Sequence, residues 1–264
     1  MARPAKPRAP LRSSRTLAAI VFLAVIISSA AADDGSVGTV GGAVRLMKER
    51  GAIRMVSEVV YAHIRADSLF PDTSEVIEVD CVFVMRNEGP ADTVLMGFPD
   101  GALGPYQGGG EEHELESFRS WVDGVEVECR RVSNVRGAPP SEVGSWWVKR
   151  VAFPRGAVKT IRDQYTVLPS WHPMLGTQAF RYTLSTGASW KGTIGSAEII
   201  ATLDGIPLEW ITGSDPEARR EGRTFRWSFR DFEPGSADGS PASVQLEWRT
   251  RWQLRDAEPD SLEK

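Results

Sequence analysis

The chain has 264 residues, and its 35 acidic side chains outnumber its 31 lysines and arginines, which gives a formal net charge of −4. Nucleic acids and anionic membrane surfaces both attract basic proteins, so this balance argues against either as a partner.

The N-terminal segment has the three parts of a secretory signal peptide. Five basic residues and no acid fall in the first fifteen positions, and the twelve-residue run TLAAIVFLAVII follows. Small residues then precede the first acid, Asp33, which predicts cleavage after Ala32. The apolar run is shorter than the roughly 20 residues that a membrane span needs, which favours a cleaved signal over an uncleaved anchor. We therefore expect residues 1–32 to be removed and the secreted protein to be periplasmic or extracellular.

Removal of residues 1–32 takes five basic charges with it and moves the net charge from −4 to −9. A surplus of one charge keeps an exported protein soluble. No later run is apolar enough to cross a bilayer, so we expect no membrane span in the mature chain. Residues 33–50 are rich in glycine and predict a flexible lead-in, and residues 256–264 predict a polar tail.

From Ile53 onward the sequence has the pattern of β-strands. EVIEVDCVFVMRN is rich in β-branched residues and ends at the turn signal NEGP. Asp123-Gly124, between two alternating arms, predicts a hairpin with a type I′ turn. SWWVKRVAFPRGAVKTIRDQYTVL predicts a second hairpin, bent at residues 154–156.

The C-terminal half alternates most clearly. TFRWSFR places Phe225, Trp227 and Phe229 on one face, and ASVQLEWRTRWQL repeats the same alternation. One apolar and one polar face are typical of antiparallel sheet. No run of eleven or more residues keeps a helical stripe. We therefore predict an all-β domain over residues 51–255, either one antiparallel β-sandwich or two small sandwiches in series, with the Gly/Pro-rich stretch 134–144 as the candidate boundary.

The two cysteines, Cys81 and Cys129, each share a predicted strand face with apolar residues. Both side chains are therefore expected to point inward. An even number of cysteines in an oxidising compartment favours one disulfide. Two buried thiols that never meet are the alternative, because the sequence does not fix the distance between them.

The stretch STGASWKG, residues 185–192, raises the question of a nucleophile loop. A catalytic Ser-Lys pair needs a desolvated lysine within hydrogen-bond reach of the hydroxyl. Lys191 stands between glycines at a predicted turn, which indicates an exposed lysine. Gly187 and Gly192 allow a positive φ or a close backbone approach, and Trp190 is expected to cover the edge of the core. Turn chemistry therefore favours a structural connection between two strands.

The same stretch resembles a bacterial exported family of unknown function. The shared pattern is Tyr-x-Leu-x-Thr-Gly-x-x-Trp-x-Gly-x-Ile, which is met here by Tyr182, Leu184, Thr186, Gly187, Trp190, Gly192 and Ile194. The resemblance covers residues 50–250 and includes pieces such as FRSWVDG and VMRNEGPADTVLMGFPD. It implies an extracytoplasmic β-rich protein and transfers no catalytic residue.

The histidines are widely spaced and lack a metal-binding pattern. Only GGGEEHELE, around His113, gathers acids and a histidine. Metal sites require fixed geometry, so a Gly-rich acidic segment favours a solvated loop. We predict neither a metal nor a cofactor.

Nine tryptophans are many for a chain of this length. Trp146 and Trp147 are adjacent, so a strand would turn one of them outward. Trp171 and His172 fall in the Pro-rich segment LPSWHPMLG, where an exposed ring would form a platform for a sugar or a protein. A ring folded back over the core is the commoner arrangement for tryptophan. The ligand-binding candidates are these four residues and Trp190.

Two functions follow from these observations. The first is a non-catalytic exported β-sandwich protein that binds a protein or a glycan at the bacterial envelope. The alternative is an envelope hydrolase that uses carboxylates or the Ser185–Lys191 loop. The chain has no Gly-x-Ser-x-Gly motif, and we therefore expect binding rather than catalysis.

Overall fold

The computed structural model describes residues 45–46, 51–66, 75–101, 115–133, 145–172, 175–236 and 239–249. Most of these residues lie in β-strands, as their β-branched and alternating sequences predict. The strands are β1 (Arg45–Leu46), β2 (Ile53–Ala66), β3 (Glu75–Asn87), β4 (Asp92–Gly101), β5 (Ser117–Val122), β6 (Val125–Val127), β7 (Arg130–Ser133), β8 (Ser145–Phe153), β9 (Val158–Val167), β10 (Ser170–His172), β11 (Thr177–Thr183), β12 (Ile194–Asp204), β13 (Ile211–Asp215), β14 (Arg219–Glu221), β15 (Thr224–Phe232) and β16 (Ser243–Arg249). Two short 3₁₀ helices, Ser185–Ser189 and Leu208–Trp210, interrupt them.

The described strands form three sheets. The largest has eight strands in the order β14-β15-β12-β2-β3-β9-β5-β6. The two smaller sheets have four strands each, in the orders β1-β4-β8-β7 and β10-β11-β16-β13. Among the described strands, all pairs are antiparallel except β12 and β2, which run parallel at the centre of the large sheet.

Both small sheets pack against one face of the large sheet. The inward residues of β3 are all buried, namely Ile77, Val79, Cys81, Phe83 and Met85. Phe98 of β4 lies 5.1 Å from Tyr165 of β9, between ring centroids, and Phe180 of β11 belongs to the same hydrophobic cluster. Each large side chain buried in this way contributes roughly 1.5–3 kcal/mol. The predicted all-β sandwich fold is confirmed.

The turn at Asp123-Gly124 is the predicted one. Both residues have positive φ, at 51° and 80°, which is the geometry of a type I′ turn between β5 and β6. Asp123 is also held by its side chain, since its Oδ1 accepts a hydrogen bond from the Thr160 backbone N at 2.9 Å.

The predicted hairpin around residues 154–156 is wrong. A tight turn with Gly156 at φ 73° does join β8 to β9. The two strands nevertheless belong to different sheets, because β8 pairs with β4 and β7, whereas β9 pairs with β3 and β5. The segment is a crossover from one layer of the sandwich to the other, which local alternation does not distinguish from a hairpin.

The structure also corrects the predicted disulfide, because both cysteines are free thiols. Cys81 is buried on β3, and Cys129 is partly buried two residues after β6. In the large sheet, β9 and β5 lie between β3 and β6. With about 4.8 Å between adjacent strands, that separation exceeds the roughly 4.4–6.8 Å that a disulfide allows between Cα atoms.

Several predicted segments lie outside the described residues. They are the signal peptide with its Ala32-Asp33 cleavage site, the boundary at 134–144, the acidic loop around His113 and the tail at 256–264. These predictions stand as predictions. Within the residues described, no helix is long and apolar enough to cross a membrane.

Candidate functional site

A groove crosses the outward face of the large sheet. Two adjacent rows of side chains line it, and each row runs across the five strands β12, β2, β3, β9 and β5. In register, the first row is Ile200, Tyr61, Asp80, Gln164 and Arg119. The second row is Thr202, His63, Glu78, Thr166 and Ser117. Alternate residues of a strand share a face, so both rows point away from the core.

The groove is open to solvent and has a volume of about 630 Å³. Five strands at about 4.8 Å spacing give it a length of about 19 Å. The sandwich core lies directly beneath it, so the groove has a rigid floor. Ala62 and Val79 are the buried neighbours that form this floor.

A β-bulge in β2 determines which residues face the groove. The register of β2 against β3 shifts between Met55 and Ser57. Before the bulge, Ile53 and Met55 point into the core, and strict alternation would then turn Tyr61 inward as well. The extra residue reverses the phase, so Tyr61 faces outward with 52% of its surface exposed.

Ion pairs hold the polar side chains of the groove in place. Asp80 accepts two hydrogen bonds from Arg162 through Nε at 2.9 Å and Nη2 at 2.5 Å, and a third from Gln164 Nε2 at 3.0 Å. Arg119 forms a bidentate pair with Glu126, at 2.9 and 2.8 Å. Bidentate pairs of this kind fix geometry as well as charge.

The two aromatic residues of this face differ in their surroundings. Trp121 is half-buried, and the guanidinium carbons of Arg119 and Arg162 lie 4.9 and 5.3 Å from its ring centre. This stacking is a cation–π contact that occupies the indole ring. Tyr61 instead presents its ring to solvent inside the groove.

A buried polar cluster lies under the same sheet, on the core side. The Tyr182 hydroxyl donates a 2.5 Å hydrogen bond to Glu58 Oε1, and Glu58 Oε2 has no hydrogen-bond partner among the described residues. Burial raises the pKa of Glu58 to about 7, although the Tyr182 hydrogen bond opposes that rise. Burial likewise raises the pKa of the Cys81 thiol well above its ordinary value.

A buried ion pair connects β8 of the small sheet to β9 of the large sheet. Lys149 Nζ donates to both carboxylate oxygens of Asp163, at 2.5 and 2.7 Å, and both side chains are buried. The bidentate contact supplies the hydrogen bonds that a desolvated pair of charges requires. This pair therefore fixes the layers relative to each other and is closed to a ligand from solvent.

Another buried carboxylate, Asp100 of β4, has its hydrogen-bond partners near the strand ends of the small sheet. It accepts hydrogen bonds from Arg131, from Ser145 Oγ at 3.0 Å, from Trp147 Nε1 at 2.9 Å and from the Leu115 backbone N at 3.2 Å. The Trp147 ring stacks on Phe118 at 5.5 Å, measured between centroids. Asp100 therefore anchors the strand ends of the small sheet.

The tryptophans singled out from the sequence do not form one site. Trp146 and Trp190 are buried in the core, and Trp147 is half-buried and bonded to Asp100. Trp171 is 46% exposed and lies on β10, which belongs to a different sheet from the groove strands. His172 follows it on the same strand, and its side chain lies outside the described part of the structure.

The STGASWKG stretch is a connection between β11 and β12, as predicted. Ser185–Ser189 form a 3₁₀ helix, and Ser189 Oγ donates to the Thr186 carbonyl at 3.1 Å. Lys191 Nζ lies 2.9 Å from Glu88 Oε2, so its charge is paired at the surface. Gly192 has a φ of +64°, which favours glycine.

The two glycines of this stretch differ in conformation. Gly187 is not among the residues with positive φ. It is a buried residue of the 3₁₀ helix, and its backbone N donates to the Leu184 carbonyl at 2.9 Å.

Sequence patterns missed the groove because its residues come from distant strands. Tyr61, Asp80, Gln164 and Arg119 become neighbours only through the strand order β2-β3-β9-β5. No group of three or more His, Cys, Asp or Glu side chains in the described residues is arranged to hold a metal ion.

No protein-family model matches the chain, and no curated protein matches its sequence. The structure is similar to that of a Legionella pneumophila protein described as a candidate nutrient binding protein, with a TM-score of 0.60 and 20% sequence identity over 82% of this chain and 73% of that one. This similarity shows a shared fold. An M1 zinc metallopeptidase from Deinococcus radiodurans gives a TM-score of only 0.37 at 8% identity, over 75% of this chain and 42% of that one.

Proposed function

We propose that this protein is exported and acts without catalysis, binding a glycan at the bacterial envelope through the groove of the large sheet. The observation that carries the proposal is the exposed Tyr61 ring beside Asp80 and Gln164. Ligand sites commonly combine an aromatic or apolar surface with a few fixed polar groups that orient the ligand. The groove offers this combination on a rigid floor.

Two further observations support the proposal. The N-terminal sequence has the basic, apolar and small-residue parts of a cleavable signal peptide. The protein of similar fold from Legionella pneumophila is described as a candidate nutrient binding protein. The ligand class proposed here comes from the groove of the present chain.

A protein partner is the second candidate. Leu168, Trp171 and Leu175 are exposed apolar side chains close together in sequence, at the edge of the small sheet that ends with β10. Exposed apolar surface of this kind is favoured at protein interfaces. A protein partner would therefore depend on Trp171, whereas a glycan would depend on Tyr61.

Binding of the purified mature chain to an array of envelope glycans tests the proposal. We expect binding that Tyr61→Ala removes and that Trp171→Ala leaves intact. The two variants are matched, because each removes one exposed aromatic ring and the two rings lie on different sheets. If Trp171→Ala abolishes binding and Tyr61→Ala preserves it, the ligand binds at the exposed apolar surface around Trp171 and not in the groove.

A further inference from the structure

We infer that the groove accepts an uncharged, extended segment of a glycan that lies across the strands with one sugar ring on Tyr61. This inference rests on the proposed function and specifies its ligand. Three observations lead to it: the charges of the groove are already paired, its two rows are long, and its apolar and polar ends are distinct.

The charges argue for a neutral ligand. Asp80 is paired with Arg162, and Arg119 is paired with Glu126. Glu78 is paired with Arg65 at 2.6 Å. An acidic ligand that approached one of these arginines would also face the carboxylate already paired with it, and the two like charges would repel. A neutral ligand leaves all three pairs intact.

The paired groups still offer hydrogen bonds at their edges. A carboxylate has about four lone-pair positions, and a guanidinium has five N–H donors, so a single ion pair does not use all of them. A sugar hydroxyl both donates and accepts, and it can therefore bridge Asp80 and its neighbours. Side chains already held in place lose little conformational entropy when such a ligand binds.

The length of the rows argues for several sugar units. The groove crosses five strands, which corresponds to about 19 Å, and its residues continue in register from Thr202 to Ser117. This length exceeds one hexose ring. We therefore assign the groove to a chain of sugars whose long axis is perpendicular to the strands.

The position of the aromatic ring fixes where stacking occurs. Tyr61 lies next to Ile200 in the first row, so these two residues form an apolar end. Asp80, Gln164 and Arg119 continue the row as a polar end. The Trp121 ring is already covered by two guanidinium groups, which leaves Tyr61 as the stacking surface in this groove.

Calorimetric titration of the mature protein tests the inference with defined hexamers. The neutral probes are cellohexaose, maltohexaose and chitohexaose, and the acidic probe is hexagalacturonate. We expect at least one neutral hexamer to bind more tightly than both hexagalacturonate and its own monosaccharide. Raising NaCl from 50 to 500 mM should change that affinity less than twofold, because screening weakens only contacts between charges.

The variants locate the binding. We expect Tyr61→Ala to lower the affinity for the neutral hexamer at least tenfold, Tyr61→Trp to retain it and Trp171→Ala to leave it unchanged. Circular dichroism of each variant checks that the sandwich remains folded.

The failures of the inference and of the proposed function are distinguishable. Any of four results overturns the inference. They are preference for hexagalacturonate, a tenfold loss of affinity in high salt, a monosaccharide that binds as well as its hexamer, and failure of every neutral hexamer to bind. If Tyr61→Ala still weakens binding of a glycan from the array, the proposed function survives. A glycan whose affinity neither Tyr61→Ala nor Asp80→Asn changes overturns both.

Discussion

The Tyr182 hydroxyl donates a 2.5 Å hydrogen bond to Glu58 Oε1 and thereby connects β11 of a small sheet to β2 of the large sheet. Both side chains are fully buried. Burial dominates the electrostatics of the carboxyl group, because the pKa of Glu58 is about 7 in spite of this hydrogen bond. The contact between the layers therefore depends on pH.

We expect the free energy of unfolding to fall as the pH rises from 4.5 to about 7, the ordinary and the folded-state pKa of Glu58. In this window the unfolded chain releases the proton while the folded chain retains it, so rising pH favours unfolding. The total loss is about 3 kcal/mol, since each pKa unit corresponds to about 1.36 kcal/mol. Urea unfolding at pH 5 and pH 8 measures it.

Glu58→Gln is the control for this prediction. Its amide has nearly the shape of the protonated acid and does not titrate, so we expect a flatter stability profile between the two pH values. Tyr182→Phe removes the hydrogen bond that lowers the pKa of Glu58, and the window should then extend to higher pH. A Glu58→Gln variant with the full pH dependence of the parent would assign the effect to another group.

Lys149→Met should destabilise the protein by about 3–5 kcal/mol, because it leaves the Asp163 carboxylate buried without its partner. The double variant Lys149→Met/Asp163→Leu should recover most of that loss, since two apolar residues carry no unpaired charge. Chemical unfolding of the two variants and the parent gives the comparison. Equal losses in the single and double variants would mean that Lys149 acts through its packing.

Both cysteines should be titratable when the protein is unfolded without reductant. In the folded protein Cys81 is buried and its thiol pKa is raised well above the ordinary value, so it should not react with a thiol reagent. Cys129 is only partly buried and should react first. Kinetics with Ellman's reagent, with Cys129→Ser as the control, measures both rates. If no free thiol is found after unfolding, the two cysteines form a disulfide after all.

Trp190→Ala should cost about 3–5 kcal/mol, the usual range for removing a buried tryptophan. Trp190 is buried within the hydrophobic cluster that the sheets share. Trp171→Ala is the matched control and should change stability by only about 0.5 kcal/mol, because its ring is exposed. Thermal unfolding of the two variants compares them. If the two variants have equal melting temperatures, Trp190 does not pack in the core.

The exported protein should begin at Asp33. Mass spectrometry of the protein recovered from a periplasmic or extracellular fraction measures this, and Ala30→Glu/Ala32→Glu should block cleavage by removing the small residues at the site. Peptides from residues 1–20 in the recovered protein would instead indicate an uncleaved anchor.

Sequence alternation predicts an element correctly when the element does not depend on which strands lie beside it in the sheet. The inward face of β3 and the turn at Asp123-Gly124 were both predicted, because each depends only on residues adjacent in the chain. The hairpin predicted at residues 154–156 is wrong, and the disulfide that the cysteine count favoured is not formed, because each depends on the sheet to which a strand belongs.

The groove also separates what the sequence shows from what depends on the strand order. Asp80 and Gln164 are each polar residues whose two neighbours in the chain are buried. Their contact depends on β3 lying beside β9, and the exposure of Tyr61 depends on one extra residue in β2. A one-residue change of phase is invisible in the sequence and decides whether an aromatic ring faces the core or the solvent.

The parallel pair of β2 and β12 has a consequence for how the chain reaches its folded state. Arg54 Nε, in the first long strand, donates to the carbonyl of Thr193, which is 139 residues later. Contacts between such distant residues form slowly, because a long loop must close first. The pairing of β2 with β12 therefore cannot form until most of the polypeptide has been synthesised. In the export that we propose, this delay would leave one edge of β2 unpaired while the chain crosses the membrane.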